Sequence, residues 1–169
     1  MRFQLVDRVE SIDPGKKIVT IKALSLAEEY LGDHFPAFPV LPGVLMLEAL
    51  VQSAAWLIRV QQNFAKSFVV LSAARNMRYA NFVAPGNIMR CDVEVVELTD
   101  NISKFKAVAS VDGKTTVSGK IELRSFNLAE RAGYLAAADA AVIAQLKGRW
   151  KLVHGPEALA AAQAAAQGA

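Results

Sequence analysis

Apolar and polar positions change their period along this chain, and each change marks an element. Residues 3–9 carry strand-forming side chains and run toward Asp13-Pro14-Gly15-Lys16, a strong turn signal. Residues 17–22 then alternate polar and apolar, so the chain is predicted to open with a hairpin. Ser25 is placed to cap a short helix over 26–31. Pro36, Pro39 and Pro42 exclude regular helix from the next segment. Pro42-Gly43 leads into residues 44–62, whose apolar side chains go nearly all the way round a helix, as in a buried helix rather than a surface one. Strand-like runs follow over 68–79, 88–98, 104–111 and 114–126. Ala84-Pro85-Gly86-Asn87 turns the chain after the first of these, and Asp112-Gly113 between the last two is a strong hairpin signal. From Asn127 onward the chain is alanine-rich, with helix expected over 128–146 and 157–167 and a break over 148–156.

The order is strand pair, long helix, antiparallel strands, with the alanine-rich tail appended. It predicts an α+β fold in which one helix lies against one curled sheet. The 169 residues suit one domain with a small appendage: a body over 1–126 and a helical extension over 127–169. A hydrophobic content of 53% excludes a disordered chain and calls for a large core, a buried subunit interface, or both. The formal charge of +3 admits an acidic partner without requiring one. No Lys/Arg cluster is interleaved with aromatics, so nucleic acid is not an expected partner. Cys91 is the single cysteine, which rules out a disulfide framework or a cysteine-based metal site and fits a reducing compartment. It reads as a core thiol, and His154 as a loop residue. Two histidines without an acidic cluster give no metal-ligand spacing. Residues 1–10 read as folded strand rather than as a signal peptide. The longest apolar stretch, 44–60, contains Glu48, Gln52, Ser53 and Arg59, which makes it too polar and short for a membrane span. The expected location is the cytoplasm.

The candidate chemistry converges on residues 32–52. His34 sits in the proline-pinned loop, where an imidazole is either an ordinary loop side chain or an acid/base group working near neutral pH. Glu48 lies inside the apolar helix, and a carboxylate there needs a partner, such as Arg59, or a chemical role. Gln52 follows four residues later on the same helix face, which makes a polar stripe on an otherwise apolar surface. Gly43 begins the helix, where the first amides have no internal acceptor and can hold a carbonyl oxygen that gains negative charge. Pro-Gly is also simply a good turn. No Gly-x-Ser-x-Gly elbow and no glycine-rich phosphate loop is present.

Taken together, these residues resemble a known family. The chain is similar to the hotdog-fold 3-hydroxyacyl-[acyl carrier protein] dehydratases of the FabZ type over residues 3–126. The likeness runs through Leu5-Val6-Asp7-Arg8-Val9 and Asp13-Pro14-Gly15-Lys16. It peaks at His34-Phe35-Pro36, Pro39-Val40, Pro42-Gly43-Val44-Leu45 and Glu48-Ala49-Leu50, with Gln52 after. The resemblance implies a hotdog fold, with a long central helix wrapped by a curved antiparallel sheet, and dehydration of a (3R)-hydroxyacyl thioester to the trans-2-enoyl thioester. His34 would remove the Cα proton, Glu48 would help the 3-hydroxyl leave as water, and the Gly43 amide would polarise the thioester carbonyl. Val44, Phe35 and Gln52 would join Gly43 as oxyanion or substrate-binding positions. Glutamate rather than aspartate at position 48 favours dehydration without double-bond isomerisation.

The resemblance also implies an acyl carrier protein as partner and a homodimer whose sites each take His34 from one protomer and Glu48 from the other. Trimers of dimers are common in the family. Elimination of water needs no metal and no cofactor beyond the phosphopantetheine that carries the substrate. A basic rim for that arm would come from Arg75, Arg78, Arg90 or Lys104. Two departures stand out: Asp33 where the family usually has glycine, and Arg78-Tyr79-Ala80-Asn81-Phe82 where it often carries an arginine-rich run. Rival readings are a hotdog acyl thioesterase and a non-catalytic acyl-binding or scaffold subunit.

Overall fold

The computed structural model describes residues 3–167, so the outermost residues of the expected first strand and of the alanine-rich extension (1–2 and 168–169) lie outside the described residues. Strands β1 (Arg8–Asp13) and β2 (Lys17–Ala23) form the opening hairpin. Helix α1 (Gly43–Gln61) follows, then β3 (Phe68–Tyr79), β4 (Ile88–Leu98), β5 (Ile102–Val111) and β6 (Lys114–Phe126). All pair antiparallel into one sheet in the order β1-β2-β4-β5-β6-β3. At the β5–β6 turn both Asp112 and Gly113 take positive φ, the conformation that a tight two-residue hairpin requires.

The sheet wraps α1. Ala49, Leu50, Ala54, Leu57 and Ile58 of the helix are sealed against Ile18, Met89, Val93, Phe105, Ile121 and Leu123 of the strands. Each fully buried leucine or isoleucine contributes about 1.5–3 kcal/mol through lost contact with water. By length and composition α1 is apolar enough to cross a bilayer, contrary to the expectation from its polar residues, but more than half of that window is buried inside the fold. Ser53 is tolerated in the core because its hydroxyl donates to the Ala49 carbonyl at 2.7 Å and meets the Thr20 hydroxyl at 2.6 Å. Cys91 lies beside them, a core thiol as expected, and burial pushes it up to about 12.

Several boundaries differ from the sequence reading, each for a visible reason. Residues 3–7 are not a strand. Two of their amides find isolated partners instead: Leu5 N–H donates to Gln52 Oε1 at 2.9 Å and Asp7 N–H to the Ile21 carbonyl at 2.8 Å. The helix expected over 26–31 shrinks to a single 3₁₀ turn, Glu29–Leu31. The segment after β6 begins with two 3₁₀ turns, and α2 (Ala136–Leu152) starts later and runs straight through Gly148 before α3 (Gly155–Gln167). The break is confined to Val153 and His154, with His154 exposed and at positive φ.

The extension is fastened at two points. Asp139, buried on α2, accepts hydrogen bonds from the Ser67 hydroxyl, Leu128 N–H at 3.0 Å and Ala129 N–H at 2.8 Å. Trp150 enters the main core, 7% exposed, with its ring 5.4 Å from that of Trp56 and 6.4 Å from that of Phe64. Helix α3 then lies along β1, one edge of the sheet, where Val9 N–H donates to the Val153 carbonyl at 2.8 Å. The opposite edge, β3, is left uncovered among the described residues, with Val70, Leu71 and Tyr79 exposed.

Candidate active site

His34 is set by the end of the 3₁₀ turn, where its N–H donates to the Tyr30 carbonyl at 3.2 Å. The next residue, Phe35, is held at φ 51°, a conformation costly for a bulky side chain and one that proteins concentrate at functional sites. Its ring lies against the imidazole, 4.3 Å between centroids and tilted by 50°, while Phe35 itself stays 58% exposed. The loop closes through Phe38 N–H to the Phe35 carbonyl at 2.7 Å, and it is tied to the β3–β4 connection by Leu41 N–H to the Val83 carbonyl at 2.8 Å. Asp33 is exposed, and no ion pair between it and His34 forms among the described residues.

Gly43 is the first residue of α1. Pro42 precedes it as the N-cap, with no side-chain cap and no acidic residue in the first turn. The helix therefore presents its first amides and its positive dipole end without a built-in anion. The glycine has a steric reason as well: a Cβ there would lie 3.1 Å from Tyr79 Cε1. His34, Gly43 and Tyr79 line one cavity of about 170 Å³, walled by Val40, Leu41 and Met46. Phe38 and Phe82 pack edge to face at 5.6 Å beside it. An imidazole, a free helix-end amide and apolar walls are suited to removing a proton next to a carbonyl while the amide holds the oxygen.

Glu48 is not in that cavity. It lines a separate crevice of about 220 Å³ with Gln52, Val51, Trp56 and Arg59. Arg59 is not its partner; Gln52 is. The Gln52 amide donates to Glu48 Oε1 at 2.9 Å and to the Phe3 carbonyl at 3.0 Å, while its oxygen accepts from Leu5 N–H. One glutamine thus orients the carboxylate and pins the N-terminal segment across α1. Val44 is 71% exposed beside Gly43, on the outside of the helix start. One protomer therefore brings His34, Phe35 and Gly43 together, and Glu48 with Gln52, but not the two groups with each other.

Of the basic candidates, Arg90 is engaged by Glu10 and by Asp92 at 3.1 Å, and Lys104 by Glu97 at 2.6 Å. Arg75 and Arg78 stand exposed on β3 next to Tyr79. Tyr79 itself escaped the sequence reading, since nothing in a strand pattern says that its ring will cover the helix start. Among the described residues no group of histidine, cysteine or acidic side chains has the arrangement of a metal site.

The FabA-like domain family matches residues 1–120. The chain belongs to the FabA-like family. A protein from Ruminiclostridium cellulolyticum named 3-hydroxyacyl-[acyl-carrier-protein] dehydratase FabZ is 37% identical over 120 residues, which is 71% of this chain and 84% of that protein. A protein of the same name from Halalkalibacterium halodurans is 40% identical over 114 residues, 67% of this chain and 81% of that one. Among solved structures, the dehydratase heterocomplex ApeI:P from Xenorhabdus doucetiae has a TM-score of 0.62 at 17% identity, covering 79% of this chain and 90% of that one. At that identity it speaks for the fold alone, and the fold is the hotdog arrangement expected from the sequence. The family match ends before the two helices that follow β6.

Proposed function

We propose that this protein is a cytoplasmic hydro-lyase that converts (3R)-hydroxyacyl chains, carried on the phosphopantetheine of an acyl carrier protein, into trans-2-enoyl chains in fatty-acid or related lipid or polyketide biosynthesis. The observation that carries the chemistry is the shared cavity of His34 and the uncapped Gly43 amide. His34 takes the Cα proton, and the electron pair moves into the Cα–Cβ bond as the C3–O bond breaks. Glu48 helps the departing hydroxyl leave as water, directly or through an ordered water that passes it a proton. The Gly43 amide holds the thioester oxygen while negative charge builds on it, with Val44 and Phe35 flanking the substrate. No metal or redox group is needed for these steps.

The separation of Glu48 from His34 within one protomer supports a site completed by a second copy. The open β3 edge supports the route: two copies joined edge to edge extend the sheet and bring their α1 helices together, with His34 from one and Glu48 from the other. Larger assemblies, such as three such pairs, leave this pairing intact. Exposed Arg75 and Arg78 on the same edge are the groups proposed to meet the acidic carrier and its phosphate arm. Residues 1–126 form the catalytic body in this reading, and 127–169 an added extension.

The test is a mass-spectrometric assay of purified protein with carrier-bound 3-hydroxybutyryl and 3-hydroxydecanoyl thioesters, run in both directions. Loss or gain of water that vanishes in His34→Ala is the expected result. Release of free acid would instead make the protein a thioesterase, and a fully active His34→Ala enzyme would refute the base assignment.

A further inference from the structure

Arg59 has no acidic partner among the described residues. It lies near the end of α1 with its Nε shut off from solvent and without a hydrogen-bond partner, and its guanidinium stacks 5.3 Å from the Trp56 ring centroid. Burial, with the nearby charge of Arg149 second, pushes it down to about 10, still protonated at neutral pH. Arg149 comes from α2, beyond the residues matched by the family, and lines the same crevice. Two cations brought together at a desolvated place destabilise the fold unless an anion joins them. Arg59 lines the crevice beside Trp56, and a guanidinium is the group that fits a carboxylate as a fork.

The crevice has a direction. Glu48 lies at one end and Arg59 at the other, eleven residues further along α1, roughly 16 Å at about 1.5 Å per residue. Val51, Gln52, Ala55, Trp56 and Val69 line the space between them. In the dehydratase reading, Gly43 meets the first carbon of the acyl chain, His34 the second and Glu48 the hydroxyl on the third. The chain beyond the third carbon then continues past the Glu48 that the second copy supplies, along that copy's crevice, toward its arginines.

We infer that the extension equips the crevice with an anion-binding end, formed by Arg59 and Arg149, which selects acyl chains that carry a carboxylate at the end remote from the thioester. This inference rests on the dehydratase reading and deepens it to a substrate class.

The test uses matched pairs of carrier-bound 3-hydroxyacyl chains in several lengths, one of each pair ending in methyl and the other in carboxylate. At one length or more, the carboxylate-ended chain should show a kcat/KM about tenfold or more above its methyl partner, the order expected of charge-assisted hydrogen bonds to a buried group. Arg149→Gln should collapse that ratio, whereas Arg59→Lys, which keeps a charge but loses the fork, should reduce it. Thermal melts of each variant identify any that fail to fold. For the wild-type protein, a methyl-ended chain turned over as well as or better than its partner at every length overturns this inference and leaves the dehydratase reading standing. No dehydration of either kind of chain overturns both.

Discussion

Removing the indole of Trp150 tests whether the extension is part of the protein's core. The ring is 7% exposed and sits between Trp56 and Phe64, in the same buried cluster as the strands and α1. Truncating a buried tryptophan to alanine costs about 3–5 kcal/mol, the lost transfer energy plus the cavity left behind. In a domain of this size each kcal/mol moves Tm by roughly 2–4 °C, so Trp150→Ala should lower Tm by about 6–20 °C. The backbone nearby leaves little room to repack: a Cβ at Gly155 would stand 2.1 Å from the indole, so Gly155→Ala should shift Tm in the same direction. Thermal unfolding by circular dichroism at fixed protein concentration measures both. A loss below about 2 °C for Trp150→Ala, or a wild-type melt in which the extension unfolds in a separate earlier step, would refute a common core.

Four further outcomes are expected. Glu48→Gln keeps the Gln52 contact but removes the acid, so it should lower kcat on the order of a hundredfold or more with Tm nearly unchanged; undiminished turnover would end the acid assignment. Gly43→Ala pushes against Tyr79 and should cut kcat/KM about tenfold or more while the protein stays folded, which steady-state kinetics beside a thermal melt will show. Burial alone would raise the Asp139 carboxyl, but the Ser67 hydroxyl and the Ala129 and Leu128 amides outweigh it and hold it below its ordinary value. Its stabilisation is thus present above the unfolded carboxylate value of about 4 and is lost as pH falls through the lower folded one; Asp139→Asn should lower Tm at neutral pH and flatten that acid limb in Tm-against-pH scans. Leu71→Lys on the open edge should weaken the pair of copies and activity together, and size-exclusion chromatography that still finds a tight dimer would place the interface elsewhere.

Where a single period ran through a segment, the sequence was legible. Strands β3, β4 and β6 fall where alternation and turn residues put them, and α1 begins at the Pro-Gly step. Leu5 and Val6 have strand-forming side chains and are buried, but burial is not pairing, and the acceptor for the Leu5 amide is a side chain 47 residues away. Gly148 suggested a helix end because its local cost is real, yet Trp150 packing into the core outweighs it. Lys22 closes the alternating run over 17–22, yet it is buried between Asp7 at 3.5 Å and Glu28 at 2.5 Å, partners that no local pattern reveals. In the site, His34, Gly43, Glu48 and the Gln52 stripe stood out by chemistry. Tyr79 and Arg149 did not, because their roles come from long-range packing.

The position of α3 along β1 has a consequence for how copies of this chain add to one another. A sheet with two bare edges can take a neighbour on each side and grow without limit. Here α3 lies along one of them, so among the described residues β3 is the edge left bare. A joining face that meets its own kind is used up in the act, and the product has no remaining end on which to polymerise. If two copies join through β3 as proposed, cutting away the tail would do more than loosen the fold: it would leave each pair with a bare β1 edge at either end, on which further copies could add.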